Sequence, residues 1–213
     1  MTRSRKLIVA GAVVLCAGAV AVTQADFSGP ERPPDSQGRP PAAKRHFAAF
    51  ARPDVAKADA AYRARLERGV KQTNPDIDAG TLRLIRHGAG LDMYAAAGTS
   101  TVCHTARLTV SGGRTIASLG CGQATDEAGV PLVHASVTHA EGDAVLVTAL
   151  VPDGVGPLTL RFADGSTSEL RVDNNAAAYH GAKQPATLSW TDSAGKSHDE
   201  DVSLPESPGG ATG

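Results

Sequence analysis

The stretch from residue 144 to residue 175 constrains the fold most, because it alternates apolar segments with turn residues. It opens with the run AVLVTALV at 144–151, which has the length and composition of one buried strand. Pro152, Asp153 and Gly154 follow as a turn triplet, since proline presets φ and glycine accepts a positive φ. The pattern therefore predicts that one strand ends here and that another begins shortly afterwards.

Two more strands are predicted around a second turn. The residues LTLRF before Asp164 and Gly165, and ELRV after them, alternate apolar and polar side chains with the period of a strand. Asp173, Asn174 and Asn175 then end the alternation. We interpret the whole stretch as an antiparallel meander in which the Pro152, Asp164 and Asp173 positions are structural turns rather than catalytic residues.

The rest of the body also indicates strands separated by turns. Candidate strands cover residues 82–84, 91–95, 101–105, 108–110, 116–120, 132–137, 187–191 and 201–204. Turn residues recur about every 10 residues, which is typical of an antiparallel sandwich or a partly open barrel. We therefore predict a mainly β fold.

One N-terminal amphipathic helix is predicted over residues 55–70. Asp54 is a good N-cap residue at its start. Val55, Tyr62, Leu66 and Val70 recur with helical spacing on one face, so this face is expected to cover one side of a sheet.

The N-terminal region has the three-part build of an export signal. Basic residues precede an unbroken apolar run at 7–22, and small residues stand before a cleavage position after Ala25. Residues 1–25 are thus a signal peptide or an uncleaved membrane anchor, and either interpretation places the body outside the cytoplasm. Residues 26–44 are rich in proline, which indicates a linker. We predict that residues 45–204 form the folded domain and that residues 205–213 are a disordered tail.

The cysteines divide into one N-terminal residue and one pair. The chain contains three cysteines and only 4% aromatic residues. Cys103 and Cys121 lie at the ends of neighbouring strand candidates, so we predict a disulfide between them in an exported domain. Closing this loop contributes about 3 kcal/mol in the chain-entropy model.

The sequence offers little support for catalysis or for a cofactor. The net charge is −1, so nothing in the charge balance favours nucleic acid. Cys103, His104, Cys121 and His134 are zinc-type ligands, but adjacent residues on a strand point to opposite faces. We therefore predict no metal, no cofactor and no nucleic-acid partner.

Part of the chain resembles an uncharacterised family of exported actinobacterial proteins. The block VPDGV at 151–155, the following strand, Asp164-Gly165 and Asp173-Asn174 are similar to a pattern that follows a Cys…Cys pair in that family. The upstream segment FAAFARP at 47–53 is similar to the start of the same proteins. The resemblance implies export and a shared fold, and it assigns no activity.

The function expected from these observations is that of an exported, non-catalytic binding or structural module of the cell exterior. Its partner would be an unidentified component of the envelope or membrane, and membrane contact would be confined to residues 7–22 if they are not removed. A membrane-tethered sensory ectodomain of a signalling or envelope-stress system is the alternative. An extracytoplasmic hydrolase using His104, His134 or His139 with Asp126 is a third hypothesis.

Overall fold

The computed structural model describes residues 42–110, 113–124, 130–138, 144–202 and 204. The predicted signal or anchor, most of the predicted linker, the predicted tail, Asp126 and His139 lie outside these residues. The described chain begins with helix α1 (Ala42–His46), which takes up the last residues assigned to the linker. A 3₁₀ helix (Ala48–Ala51) and helix α2 (Ala60–Thr73) follow.

The remainder of the described chain is built from antiparallel strands. They are β1 (Ile77–Gly88), β2 (Leu91–Gly98), β3 (Thr101–Thr109), β4 (Thr115–Gln123), β5 (Leu132–Thr138), β6 (Ala144–Leu150), β7 (Leu158–Phe162), β8 (Thr167–Leu170), β9 (Ala176–Gly181), β10 (Pro185–Thr191) and β11 (Ser197–Asp201). Sheet 1 has the order β1-β2-β3-β4, sheet 2 the order β5-β6-β9, and sheet 3 the order β11-β10-β7-β8. The mainly β, antiparallel prediction is confirmed.

Strand β6 lies at the centre of the fold, because every one of its residues is buried. Leu146 and Leu150 belong to an apolar cluster shared with sheet 1. Val145 and Val147 belong to a second cluster shared with sheet 3. Since successive side chains of a strand point to opposite faces, sheet 2 is covered on both sides. The three sheets therefore stack as layers, which is a sandwich arrangement.

Helix α2 covers the outer face of sheet 1. Its Val70 is buried in a third apolar cluster with Leu82 and Tyr94, and Tyr62 and Leu66 pack against that cluster while remaining partly exposed. The apolar stripe of the helix thus faces the sheet, as the spacing of these residues predicts.

The predicted start of the helix at Asp54 is wrong, and Val55, which the helical spacing assigns to the apolar face, lies before the helix and is exposed. Helix α2 begins directly after Asp59, whose carboxylate accepts a hydrogen bond from the Tyr62 N–H at 3.1 Å. Asp54 instead accepts a hydrogen bond from the Leu84 N–H at 2.8 Å, and the Val55 N–H donates to the Leu84 carbonyl at 3.0 Å. Because these bonds hold the segment beside β1, the helix cannot start until the chain has left that strand.

The predicted meander is wrong in its connectivity, although its strands exist. Strands β7 and β8 pair across the Asp164-Gly165 turn, but β6 pairs with β5 and β9 instead of β7. The Pro152–Gly154 turn therefore carries the chain from sheet 2 to sheet 3. The physical reason is that β6 is apolar on both faces and suits a middle layer, whereas β7 buries alternate residues and covers one face only.

Three other strand assignments differ from the sequence prediction. The segments at 101–105 and 108–110 form one continuous strand, β3. No sequence signal predicts β9, because AAAYHG lacks the β-branched residues that favour strands. The strand predicted at 201–204 lies earlier, at β11. All five residues of its sequence SHDED are polar, so no apolar alternation predicts this strand.

Cys103 and Cys121 are joined by a disulfide between β3 and β4. The two residues stand directly opposite each other, and their Cα atoms are 4.1 Å apart. Cys103 lies in the apolar cluster beneath α2, so the bond cross-links β3 and β4 on the helix-covered face of sheet 1. A disulfide of this kind is compatible with an oxidising, extracytoplasmic location.

Reduction of this disulfide should lower the free energy of unfolding by about 3 kcal/mol, because it releases the constraint on the unfolded chain. The measurement is urea denaturation with and without reductant. A Cys103→Ala/Cys121→Ala double variant is the control and should not respond to reductant. An unchanged transition for the fully reduced wild-type protein would contradict the prediction.

Candidate functional site

Two of the three predicted turns meet the N-terminal segment at one end of sheet 2. The Asp153 carboxylate accepts a hydrogen bond from the Ala48 N–H at 2.8 Å, and the Asp153 N–H donates to the His46 carbonyl at 2.7 Å. Gly154 has a φ of 79°, which lets the chain turn away immediately afterwards. The Pro152–Gly154 turn thus connects two sheets and also binds the 3₁₀ helix.

The turn between β8 and β9 completes this contact through two asparagines. Asp173 and Ala176 pair across it, and Asn174 and Asn175 have φ angles of 48° and 64°, which asparagine tolerates better than most residues. The Asn174 side-chain carbonyl accepts a hydrogen bond from Arg52 Nη1 at 3.1 Å. The turn therefore presents two amide side chains to the N-terminal segment.

Asn175 is the most connected side chain of this contact. It is 7% exposed, and its Oδ1 accepts a hydrogen bond from the Ala49 N–H at 2.8 Å. Its Nδ2 donates to the Val151 carbonyl at 2.8 Å and to Asp153 Oδ1 at 2.9 Å. We refer to the hydrogen bonds among Ala48, Ala49, Arg52, Asp153, Asn174 and Asn175 as the N-terminal clasp.

Substitution Asn175→Gly should lower the free energy of unfolding by about 3 kcal/mol, because it leaves buried partners unsatisfied while keeping the positive φ. Asn175→Ala should cost about 1 kcal/mol more, because alanine resists the left-handed conformation. Thermal and urea denaturation measure both values. Equal stability of Asn175→Gly and the parent would contradict the role assigned to the clasp.

The third predicted turn lies elsewhere, in sheet 3. Asp164 accepts hydrogen bonds from the Ser166 N–H at 2.9 Å and from Lys183 Nζ at 2.8 Å. The Lys183 ammonium and then Ser166 hold the pKa of the Asp164 carboxyl well below its usual range. Gly165 has a φ of 80°. These residues close an exposed hairpin and do not join the clasp.

His104 and His134, candidates for catalysis, form a polar contact between sheets 1 and 2. His104 Nε2 lies 3.0 Å from the Thr148 hydroxyl, which in turn lies 3.4 Å from the His134 carbonyl. The two histidines are almost fully buried, with 1% and 5% of their residue surface exposed. A substrate in solution therefore cannot reach either ring unless the sheets separate.

Gly120 makes room for this pair. It stands opposite His104 in the pairing of β3 with β4. A Cβ atom at this position would lie 3.0 Å from the His134 Cβ and 3.3 Å from the His104 Cε1. The close packing of β4 against β5 therefore depends on glycine here.

Burial keeps both histidines neutral. It lowers the pKa of His104 to about 3, with a further contribution from His134, and it also lowers the pKa of His134. Among the described residues, the Nδ1 atom of His104 has no hydrogen-bond partner. The pair is thus an interior polar contact whose protonation would oppose folding.

The stability of the protein should fall as the pH drops from 7 to 5. Because burial depresses the pKa of His104 in the folded protein, the unfolded chain binds a proton at this histidine more readily. The contribution of the neutral His104 to folding stability is therefore complete above the unfolded pKa of about 6.5, and it is lost as the pH falls below that pKa. The expected loss is about 2 kcal/mol at pH 5. His104→Leu should flatten this dependence, which urea denaturation across the pH range would measure. The exposed His180→Gln variant is the control, and an equal flattening in both variants would contradict the assignment.

The structure does not bring the zinc-type ligands together. Cys103 lies beneath α2 in its disulfide, whereas His104 points into the interface between the sheets. Within the ranges that the structure describes, no group of three or more His, Cys, Asp or Glu side chains is arranged to bind a metal. None of the helices in that part of the chain is long and apolar enough to cross a membrane.

Two clefts flank helix α2. The first has a volume of about 360 Å³, and we call it the arginine cleft. It is lined by Ala51, Arg52, Pro53, Asp54, Arg63 and Arg83. Its walls come from the chain after the 3₁₀ helix, from α2 and from β1, so three separate elements position its charged groups.

The second cleft, of about 380 Å³, is electrically balanced. Arg107 donates to Asp92 Oδ2 at 2.6 Å and to Asp59 Oδ2 at 3.2 Å, and His87 Nδ1 lies 2.7 Å from Asp92 Oδ1. The Tyr62 N–H and then Arg107 lower the pKa of Asp59, and burial raises the pKa of Tyr94 to about 12. Two basic residues, Lys57 and Arg107, thus face two acidic residues, Asp59 and Asp92, in this cleft.

Comparison of the chain with protein-family models, with curated proteins and with solved structures gives no match.

Sequence reasoning missed the residues that form the arginine cleft. Arg52 lies in the FAAFARP segment, which the family resemblance singles out, so this segment was the one available signal. Arg63 and Arg83 belong to a helix and a strand that are ordinary in sequence. Asn175 was visible only as a residue that ends a strand.

Proposed function

We propose that the chain is an exported, non-catalytic binding module of the cell exterior. The observation that best supports export is the Cys103–Cys121 disulfide, because such bonds form and persist in oxidising compartments. The export pattern at residues 1–25 agrees with it. We also propose, from the FAAFARP and VPDGV segments, that the chain belongs to the exported actinobacterial family it resembles.

The proposed binding surface is the arginine cleft. Small-molecule sites are concave, and they are more precise where rigid elements hold their polar groups. Arg63 and Arg83 lie on α2 and β1, and Arg52 is held by Asn174 of the N-terminal clasp. The cleft thus offers a ligand-binding site, and binding there needs no catalytic residue.

A membrane-tethered sensory ectodomain is the second candidate, and the N-terminal clasp favours it. The described chain enters the domain at α1 and is bonded to both turns of sheet 2 within a few residues. Arg52 belongs to the clasp and also lines the cleft. A ligand in the cleft would therefore contact the segment that leads to the predicted linker and anchor.

The intact mass of the protein purified from its native host tests export directly. We expect Cys103 and Cys121 to react with an alkylating agent only after reduction. A chain that begins at Asp26 corresponds to the secreted form and a full-length chain to the tethered form. Free thiols at both positions before reduction would contradict export, and turnover of a substrate by the pure protein would contradict a non-catalytic role.

A further inference from the structure

The arginine cleft carries an excess of positive charge. Its charged lining residues are Arg52, Arg63, Arg83 and Asp54, so three guanidinium groups face one carboxylate. A concave surface with an excess of one sign of charge concentrates ions of the opposite sign. The cleft is therefore suited to an anion.

Arg63 is committed to the structure. Its Nη1 donates to the Asp54 carboxylate, its Nε to Glu67 Oε1 at 3.3 Å, and its Nη2 to the Leu82 carbonyl at 2.6 Å. These bonds fasten α2 to β1 and to the segment that contains Asp54. Arg63 therefore shapes the cleft, and its charge is neutralised by acidic neighbours.

Arg52 and Arg83 differ from Arg63, because no ion pair joins either of them to a carboxylate within the described part of the chain. Arg52 Nη1 donates to the amide oxygen of Asn174. Arg83 Nη1 donates to the carbonyls of Gly80 and Leu82 at 3.0 and 2.9 Å. Neutral acceptors thus orient each guanidinium group through its Nη1 atom, and the positive charge of each group is left uncompensated.

We propose that the arginine cleft binds a phosphate monoester through Arg52 and Arg83. A phosphate monoester carries a charge of about −1.5 to −2 at pH 7, which matches two uncompensated guanidinium groups. A single carboxylate would neutralise only one of them. Guanidinium also donates in a planar fork that fits phosphate oxygens.

The size of the cleft allows a substituent on the phosphate. Its volume of about 360 Å³ lies in the range of small-ligand sites, about 300–1,000 Å³. The monoester is therefore either a soluble phosphorylated metabolite or polyol, or the headgroup of a lipid with a terminal phosphate. This proposal rests on the proposed function, since it names the ligand of the same cleft.

Isothermal titration calorimetry of the protein from its host tests the site at low ionic strength. The probes are glycerol phosphate, with glycerol and acetate for comparison, and phosphatidylcholine vesicles with and without phosphatidic acid. We expect saturable binding of glycerol phosphate or of the phosphatidic acid vesicles, and much weaker binding of acetate. Binding of both phosphate probes indicates a site open to soluble ligands, and binding of the vesicles alone indicates a lipid source.

Variants assign the binding to the cleft. Arg83→Gln and Arg52→Gln should each weaken binding about tenfold, because each removes a charge-assisted hydrogen bond. Arg161→Gln removes the same charge from the exposed face of β7 and should leave binding unchanged. If Arg52→Gln disturbs the clasp, its thermal midpoint will show this, and Arg83→Gln then decides alone.

Three results would overturn the proposal. They are no saturable binding of either phosphate probe, acetate binding as tight as phosphate, and equal loss of affinity in Arg161→Gln and Arg83→Gln. Each of these results would contradict the phosphate site without contradicting the proposed exported module, whose cysteines would still be oxidised. Free thiols or substrate turnover would instead remove the proposed function.

Discussion

The two-sided burial of strand β6 is the constraint on which the rest of the structure depends. Leu146 and Leu150 serve the contact with sheet 1, and Val145 and Val147 serve the contact with sheet 3. Each such side chain contributes about 1.5–3 kcal/mol when it is removed from water. Because this strand contributes to both apolar clusters, it links the outer sheets to each other through sheet 2.

The N-terminal clasp follows from the same arrangement. A chain that leaves β6 must cross to sheet 3, and Asp153 and Asn175 lie where it does so. Their polar groups would be unsatisfied at the end of a buried layer, and the backbone of the 3₁₀ helix supplies the partners. The segment that connects the domain to its predicted linker is thus part of the core, and through Arg52 it also borders the arginine cleft.

The sequence predicts local structure here better than it predicts assembly. The apolar run of β6 and the Asp164-Gly165 hairpin can be predicted because their signals lie within a few residues, and the disulfide can be predicted because Cys103 and Cys121 are the two cysteines of the body. The pairing of β6 with β9 is not readable, since the alanines of β9 carry no strand signal and the turn after β6 looks like a hairpin turn. The arginine cleft is less predictable still, because Arg52, Arg63 and Arg83 converge only after a helix, a strand and a loop have packed together.

Native-state hydrogen exchange tests the central role of β6 most directly. If β6 holds both cores together, its amides should exchange only through global unfolding, with an opening free energy equal to that of the whole domain. The amides of the polar edge strand β11 should exchange through smaller openings. Exchange of the β6 amides at a free energy below that of sheet 1 or sheet 3 would contradict the account, because an outer sheet would then survive without the layer that is said to support it.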